Sequence, residues 1–147
     1  MEIAILGLGC FWGPEIKFSK LDGVIKTEVG YCGGNSSETT YKEVCTGTTN
    51  HAEVVKLDFD PKIISYEKIL KFFFEIHDPT TLNSQGPDFG TQYRSEIFYF
   101  NDQQKEISEK IIKEENIKFS GKVVTKNSLV KNYCPAEEYH QKYLEKR

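Results

Sequence analysis

Seven residues of this 147-residue chain are the ones best suited to covalent chemistry: Cys10, Cys32, Cys45 and Cys134, with His51, His77 and His140. Cys10 stands out by its setting, Gly9-Cys10-Phe11-Trp12-Gly13-Pro14, at the end of a short apolar run. A thiol where a strand turns into a helix faces backbone N–H groups and the positive end of the helix, which favour a thiolate nucleophile. A small, inert core residue is the other reading of an unpaired cysteine. Phe11 and Trp12 either wall an apolar pocket beside the thiol or pack into the core. No C-x-x-C occurs and the histidines are scattered, so neither metal-ligand spacing nor a resident cofactor is expected. A Cys–His acyl-transfer enzyme is one alternative, and a binding module without turnover is another.

The elements that position these residues follow from pattern. Met1 to Leu8 reads as a buried strand. Gly13 to about Leu21 reads as a helix opened by Pro14, whose missing N–H costs nothing in a first turn. Ile25 to Tyr31 reads as a strand. Residues 32–50, rich in Gly, Ser, Thr and Asn, read as a loop with a helical turn at Thr40–Cys45. Ala52 to Phe59 alternates as a strand, Asp60-Pro61 ends it, and Ser65 caps a helix carrying Ile69, Leu70, Phe73 and Ile76 on one face. Residues 78–92 form a long polar loop of the kind that carries function. Ser95–Phe100 and Lys122–Lys126 read as strands, and Asp102 to about Asn116 as an amphipathic helix. The tail from Leu129 holds Cys134 and a helical patch through Tyr143. This order specifies an α+β fold: a single domain over residues 1–147, with a mixed, mostly antiparallel sheet and helices packed on it as a ferredoxin-like plait.

Composition excludes other classes. Hydrophobic residues make up 38%, aromatics 13% and charged residues 28%, as in a folded globular chain rather than a disordered one. The formal charge of -3 argues against a nucleic-acid partner. No apolar run is long enough for a membrane span, and no signal peptide is recognisable. Four cysteines without an export signal read as free thiols in a reducing, cytoplasmic setting.

Taken together, the motifs resemble a family. Gly9-Cys10-Phe11-Trp12-Gly13 is similar to the signature of the A-type peptide methionine sulfoxide reductases. So, in order, are Gly30-Tyr31-Cys32-Gly33-Gly34, Tyr41-Lys42-Glu43-Val44-Cys45-Thr46-Gly47 and His51-Ala52-Glu53-Val54-Val55. The same holds for Phe74 to Pro79, Gly90-Thr91-Gln92-Tyr93-Arg94-Ser95 and Ala136 to Gln141. The resemblance spans essentially the whole chain. It implies thiol-dependent reduction of methionine S-sulfoxide, free or in proteins, through a sulfenic acid on Cys10. The recycling partner it implies is thioredoxin, glutaredoxin or a small thiol such as glutathione, and the protein is expected to be a monomer.

The breaking S–O bond needs donors and an acid. The resemblance implies Glu43 as the acid, Tyr31 and Tyr93 as donors to the oxygen, Asp88 as the loop aspartate, and Phe11 and Trp12 as the pocket for the S-methyl group. A carboxyl serves as acid near neutral pH only where poor solvation raises its pKa. Each residue also has an ordinary reading, as a solvated carboxylate, a packed tyrosine or a turn aspartate. The histidines are read as structural. Many family members carry resolving cysteines in a glycine-rich tail, whereas this sequence stops soon after Gln141. Cys134, Cys32 or an external thiol are the candidates for resolving the sulfenic acid, and Cys45 is expected to be buried and inert.

Overall fold

β1 (Glu2–Leu8) is apolar from Ile3 onward and buried from Ala4 to Leu8, which requires a strand covered on both faces. In the computed structural model, which describes residues 1–146, it lies inside a six-stranded sheet. Its antiparallel neighbours are β3 (Ala52–Phe59) and β6 (Ser95–Tyr99). β2 (Val24–Cys32) pairs β3, and a short β8 (Cys134–Pro135) closes that edge. At the other edge β7 (Lys126–Leu129) runs parallel to β6, the one parallel pair in the order β7-β6-β1-β3-β2-β8. A separate two-stranded ribbon of β4 (Ser84–Gln85) and β5 (Asp88–Phe89) interrupts the polar loop before a 3₁₀ turn at Thr91–Tyr93. The mixed, mostly antiparallel α+β architecture agrees with the sequence pattern.

Helices α1 (Trp12–Ser19), α3 (Tyr66–Glu75) and α4 (Asp102–Lys118) cover one face. Phe18, Ile69, Leu70, Phe73 and Ile111 pack there onto Leu6, Val29, Val55, Leu57 and Ile97. α3 starts where Ser65 Oγ accepts from the N–H of Lys68, the cap its sequence foretells. The opposite face is smaller: Ile5, Cys32, Ala52, Val54 and Phe98, covered by Val130 and Tyr133. Because side chains alternate along a strand, Tyr31 and Cys32 fall on opposite faces, as do Glu53 and Val54.

Three sequence expectations shift. α1 begins at Trp12, so Pro14 is the third helical residue, still within the first turn where no N–H is required. The last long strand is Lys126–Leu129 rather than 122–126. Val123 leaves the ladder to pack on the helix-side core, and Val124 gives its N–H to Pro79. The tail forms β8 and a 3₁₀ turn at Glu138–His140 instead of a longer helical patch. Gly30 lets that tail dock: a Cβ there would lie 2.6 Å from the carbonyl oxygen of Cys134.

Candidate active site

β1 ends in Leu8, and the chain turns sharply at Gly9, whose φ of 99° is the left-handed conformation glycine adopts without strain. A Cβ at Gly9 would stand 2.8 Å from the side chain of Gln85. This turn lifts Cys10 off the sheet at the mouth of α1, half-buried. The backbone N–H of Trp12 reaches its sulfur, but burial outweighs that bond and, with Glu53 and Asp88 nearby, pushes the thiol up to about 11. The expected lowering by the helix start does not prevail. One N–H cannot offset desolvation and two neighbouring carboxyls.

Glu53 is 1% exposed, on the helix-side face of β3. Its Oε1 accepts the Phe11 N–H at a long 3.4 Å, and its Oε2 has no partner. Burial pushes this carboxyl up to about 8, with Phe11 pulling the other way and Asp88 adding to the rise. Glu53 therefore holds a proton at neutral pH. Tyr93, half-buried, lies within electrostatic reach of Glu53, Cys45, Asp88 and Cys10, and burial with those neighbours pushes its hydroxyl up to about 12. Asp88 comes from the β4–β5 ribbon. Cys10, Glu53, Tyr93 and Asp88 thus share one neighbourhood built from four separate chain segments.

Aromatic rings form the wall. Phe11 is buried in the core, 5.8 Å from the Tyr31 ring and 5.3 Å from His140. Trp12 is partly exposed, stacked at 3.9 Å on Tyr143, and its indole N–H donates to His140 Nδ1 at 3.0 Å. His140 must therefore be neutral and carry its proton on Nε2, the direction in which burial drives it. Tyr41 of α2 (Tyr41–Cys45) closes the wall, 4.5 Å from His140. Tyr31 is buried, and its hydroxyl donates to Glu137 at 2.8 Å.

The other expected residues lie around this neighbourhood or away from it. Glu43 lies exposed on α2, its N–H and carboxylate both engaged with Thr40 Oγ1 at 3.2 Å. Thr40 Oγ1 thus caps the helix by accepting the Glu43 N–H and donates its own hydroxyl proton to the Glu43 carboxylate, a local bond at a helix start. Cys32 is fully buried on the far face of the sheet, its thiol donating to the Lys131 carbonyl at 3.3 Å, and burial pushes it up to about 11. The sheet itself separates it from Cys10. Cys134 sits opposite Tyr31 on β8, half-buried, 3.5 Å from the Pro135 carbonyl oxygen. Cys45 is exposed, contrary to the buried position expected, because a five-residue helix turns only Val44 inward. His51 and His77 serve the framework: His51 Nε2 meets the Ser36 carbonyl, and His77 spans Phe73 and Ser95.

Glu53 and Glu137 were the residues that sequence reasoning passed over. Glu53 had a visible signal: a lone carboxyl in the otherwise apolar start of a strand, Ala52-Glu53-Val54-Val55. Glu137 had none, since one of two adjacent glutamates in a polar tail looks like any solvated pair.

A thiol next to a carboxyl that keeps its proton at neutral pH is the equipment of an oxidoreductase acting through sulfur. The chain belongs to the peptide methionine sulfoxide reductase family, whose model matches residues 2–147. It is 84% identical to the peptide methionine sulfoxide reductase MsrA of Pelagibacter ubique, with each chain covered over its full length. It is 52% identical to that of Methanothermobacter thermautotrophicus, over 99% of this chain and 87% of the relative. Mxr1 from Saccharomyces cerevisiae in reduced form superposes with a TM-score of 0.95 at 43% identity, over 99% of this chain and 85% of that one. The same yeast protein in complex with Trx2 gives a TM-score of 0.70 at 28% identity, over 97% and 84%. The activity is reduction of methionine sulfoxide to methionine. Among the described residues, no helix is long and apolar enough to cross a membrane.

Proposed function

We propose that Cys10 is the nucleophile and Glu53 the acid of this reduction, with Tyr93 donating to the sulfoxide oxygen and Trp12 bounding the methyl pocket. The observation that carries this reading is the unpartnered Oε2 of Glu53, a buried carboxyl that retains its proton beside Cys10. The acid role expected of Glu43 passes to Glu53 because Glu43 is exposed and occupied with its own cap. Asp88 holds the electrostatic balance of the site.

The step balances. Glu53 gives its proton to the sulfoxide oxygen as the Cys10 sulfur attacks the sulfoxide sulfur. The thiol proton of Cys10 restores the acid on Glu53. The hydroxyl passes to Cys10 while the sulfur–oxygen bond to the substrate breaks, leaving methionine and a sulfenic acid. The substrate sulfur gains two electrons, and Cys10 loses two. A second thiol then attacks Cys10, releases water and forms a disulfide, and a further thiol frees the enzyme.

An external thiol is the favoured resolving group, because Cys32 lies behind the sheet with its thiol bonded to Lys131. The complex of the yeast relative with Trx2 supports thioredoxin as that reductant. Methionine S-sulfoxide, free or in proteins, is the substrate, and four unpaired cysteines suit a reducing cytoplasm. Mixing the reduced enzyme with one equivalent of methionine S-sulfoxide, then counting thiols and mapping peptides, tests the scheme. Wild type yields one methionine per enzyme and loses one thiol, at Cys10. Cys10→Ser yields none, and product from that variant removes Cys10 from the role. Loss of two thiols in a defined disulfide replaces the external route with an internal one.

A further inference from the structure

The tail of the chain grips the start of α1 at two points. The first is Glu15, 3% exposed and one turn along α1 from Trp12. Its Oε1 accepts the N–H of Lys142 at 2.7 Å, and its Oε2 accepts the Thr27 hydroxyl at 2.9 Å. The second is His140, which the 3₁₀ turn Glu138–His140 carries to the side of Trp12. Rings surround it: Tyr139 at 4.2 Å, Tyr41 at 4.5 Å, Phe11 at 5.3 Å and Trp12 at 5.7 Å. His140 is 2% exposed; its Nδ1 takes the indole N–H, and its Nε2 has no partner. A donor buried without an acceptor costs stability. A phenyl ring would fill the same box without that cost, so packing alone does not account for an imidazole here. What the imidazole adds is the acceptor at Nδ1.

Trp12 has a use for that acceptor. Its partly exposed indole stacks on Tyr143, nearly parallel at 9°. A stack fixes the plane of a ring but lets it slide and turn within that plane. One hydrogen bond at the edge of the ring, shielded from water, removes that freedom. We propose that His140 is a positioning residue that sets selectivity: by accepting the Trp12 N–H it locks the indole in its plane, so that the ring meets the S-methyl group of the substrate at one fixed depth. This rests on the reading in which Trp12 bounds the methyl pocket.

The test is single-turnover release of methionine, read as the maximal rate and the half-saturating concentration of methionine S-sulfoxide. His140→Leu removes the acceptor, whereas His140→Asn places an amide oxygen near the position of Nδ1. H140L is expected to raise the half-saturating concentration about tenfold with the maximal rate within about twofold of wild type, and H140N to recover most of that loss. With ethionine S-sulfoxide, one methylene larger, the preference for methyl over ethyl is expected to narrow about fivefold in H140L. In a Trp12→Phe background, which has no indole N–H, adding H140L is expected to change the half-saturating concentration less than about twofold. Equal H140L penalties in the two backgrounds, or H140N as impaired as H140L, overturn the proposal. Failure of the pocket reading shows separately: Trp12→Phe alone then keeps the wild-type preference for methyl over ethyl, and both fall.

A second measurement needs no variant. The chain has one tryptophan, so nitrogen-15 spectra of the wild type contain one indole N–H. A nitrogen–nitrogen coupling from it across the hydrogen bond to an unprotonated Nδ1 of His140 is expected. A His140 ring protonated at Nδ1 overturns the proposal.

Discussion

Two buried carboxyls face opposite sides of the same sheet, and they have opposite surroundings. Glu96, 4% exposed on β6, takes the Nε–H of Arg94 at 2.6 Å on one oxygen and the hydroxyl of Ser128 at 2.5 Å on the other. Arg94 is held in turn by the carbonyls of Thr91 and Asn50. Glu53, 1% exposed on β3, has one long bond and an empty oxygen. Burial of a charge is tolerated where partners replace the lost water. Glu96 has them and ties β6, β7 and the loop before them into a framework. Glu53 lacks them, so it keeps its proton at neutral pH, which is what the proposed acid role asks of it. The same residue type at nearly the same depth is fully bonded in one place and left with an unpartnered oxygen in the other, and the number of donors aimed at it makes the difference.

The contrast can be broken from either side. The largest effect is expected at the paired carboxyl. Arg94→Met strands the Glu96 charge, and denaturant unfolding should register a loss of about 3–5 kcal/mol. Survival of stability within 1 kcal/mol, again on the order-of-magnitude scale of mutational effects, would mean that the pair is dispensable.

Glu53→Gln should act in the opposite sense. The folded-state pKa of Glu53 is raised to about 8, so the fold binds a proton that the unfolded chain releases, and stability falls as pH rises from the ordinary carboxylate range to about 8. Glutamine removes that titration. At pH 8 the variant should be more stable than wild type by on the order of 3 kcal/mol, a gap that closes toward pH 4. A pH-independent difference would refute the raised pKa.

The smallest expected effect is catalytic. Glu53→Gln should cut kcat by about 10²-fold, the usual worth of a general acid. It should also abolish the alkaline fall of activity, which in wild type is expected near pH 8 as Glu53 loses its proton. On the proposed assignment of the acid to Glu53, Glu43→Gln should leave that limb in place, since Glu43 is exposed and bonded to Thr40.

Much of this was legible beforehand, for identifiable reasons. The apolar stretch of β1, the Ser65 cap and the period of α3 are local signals, and the fold honours them. Cys10 was legible because a glycine-flanked turn after an apolar strand has few uses. The choice between Glu43 and Glu53 was where local and long-range information diverged. Glu43 came forward through the resemblance, with a solvated carboxylate as its ordinary reading, and the structure places it exposed beside Thr40. The isolated acid in Ala52-Glu53-Val54-Val55 points toward chemistry, but its empty oxygen is a property of neighbours from other strands. Glu137 lay beyond reach for the same reason: its two partners are 96 and 106 residues away.

Gln141 accepts the N–H of Val29 with Oε1 and donates to the Val29 carbonyl with Nε2, both at 2.9 Å. A side-chain amide here imitates a peptide group and occupies both hydrogen-bonding positions of a residue on β2, just past the end of its two-residue neighbour β8. An open strand edge is a template on which other chains can pair and aggregate. Together with the Ala136 N–H, which also donates to the Val29 carbonyl at 2.9 Å, this glutamine serves as a guard rail for the sheet. At that residue the sheet offers no free strand edge for another chain to join.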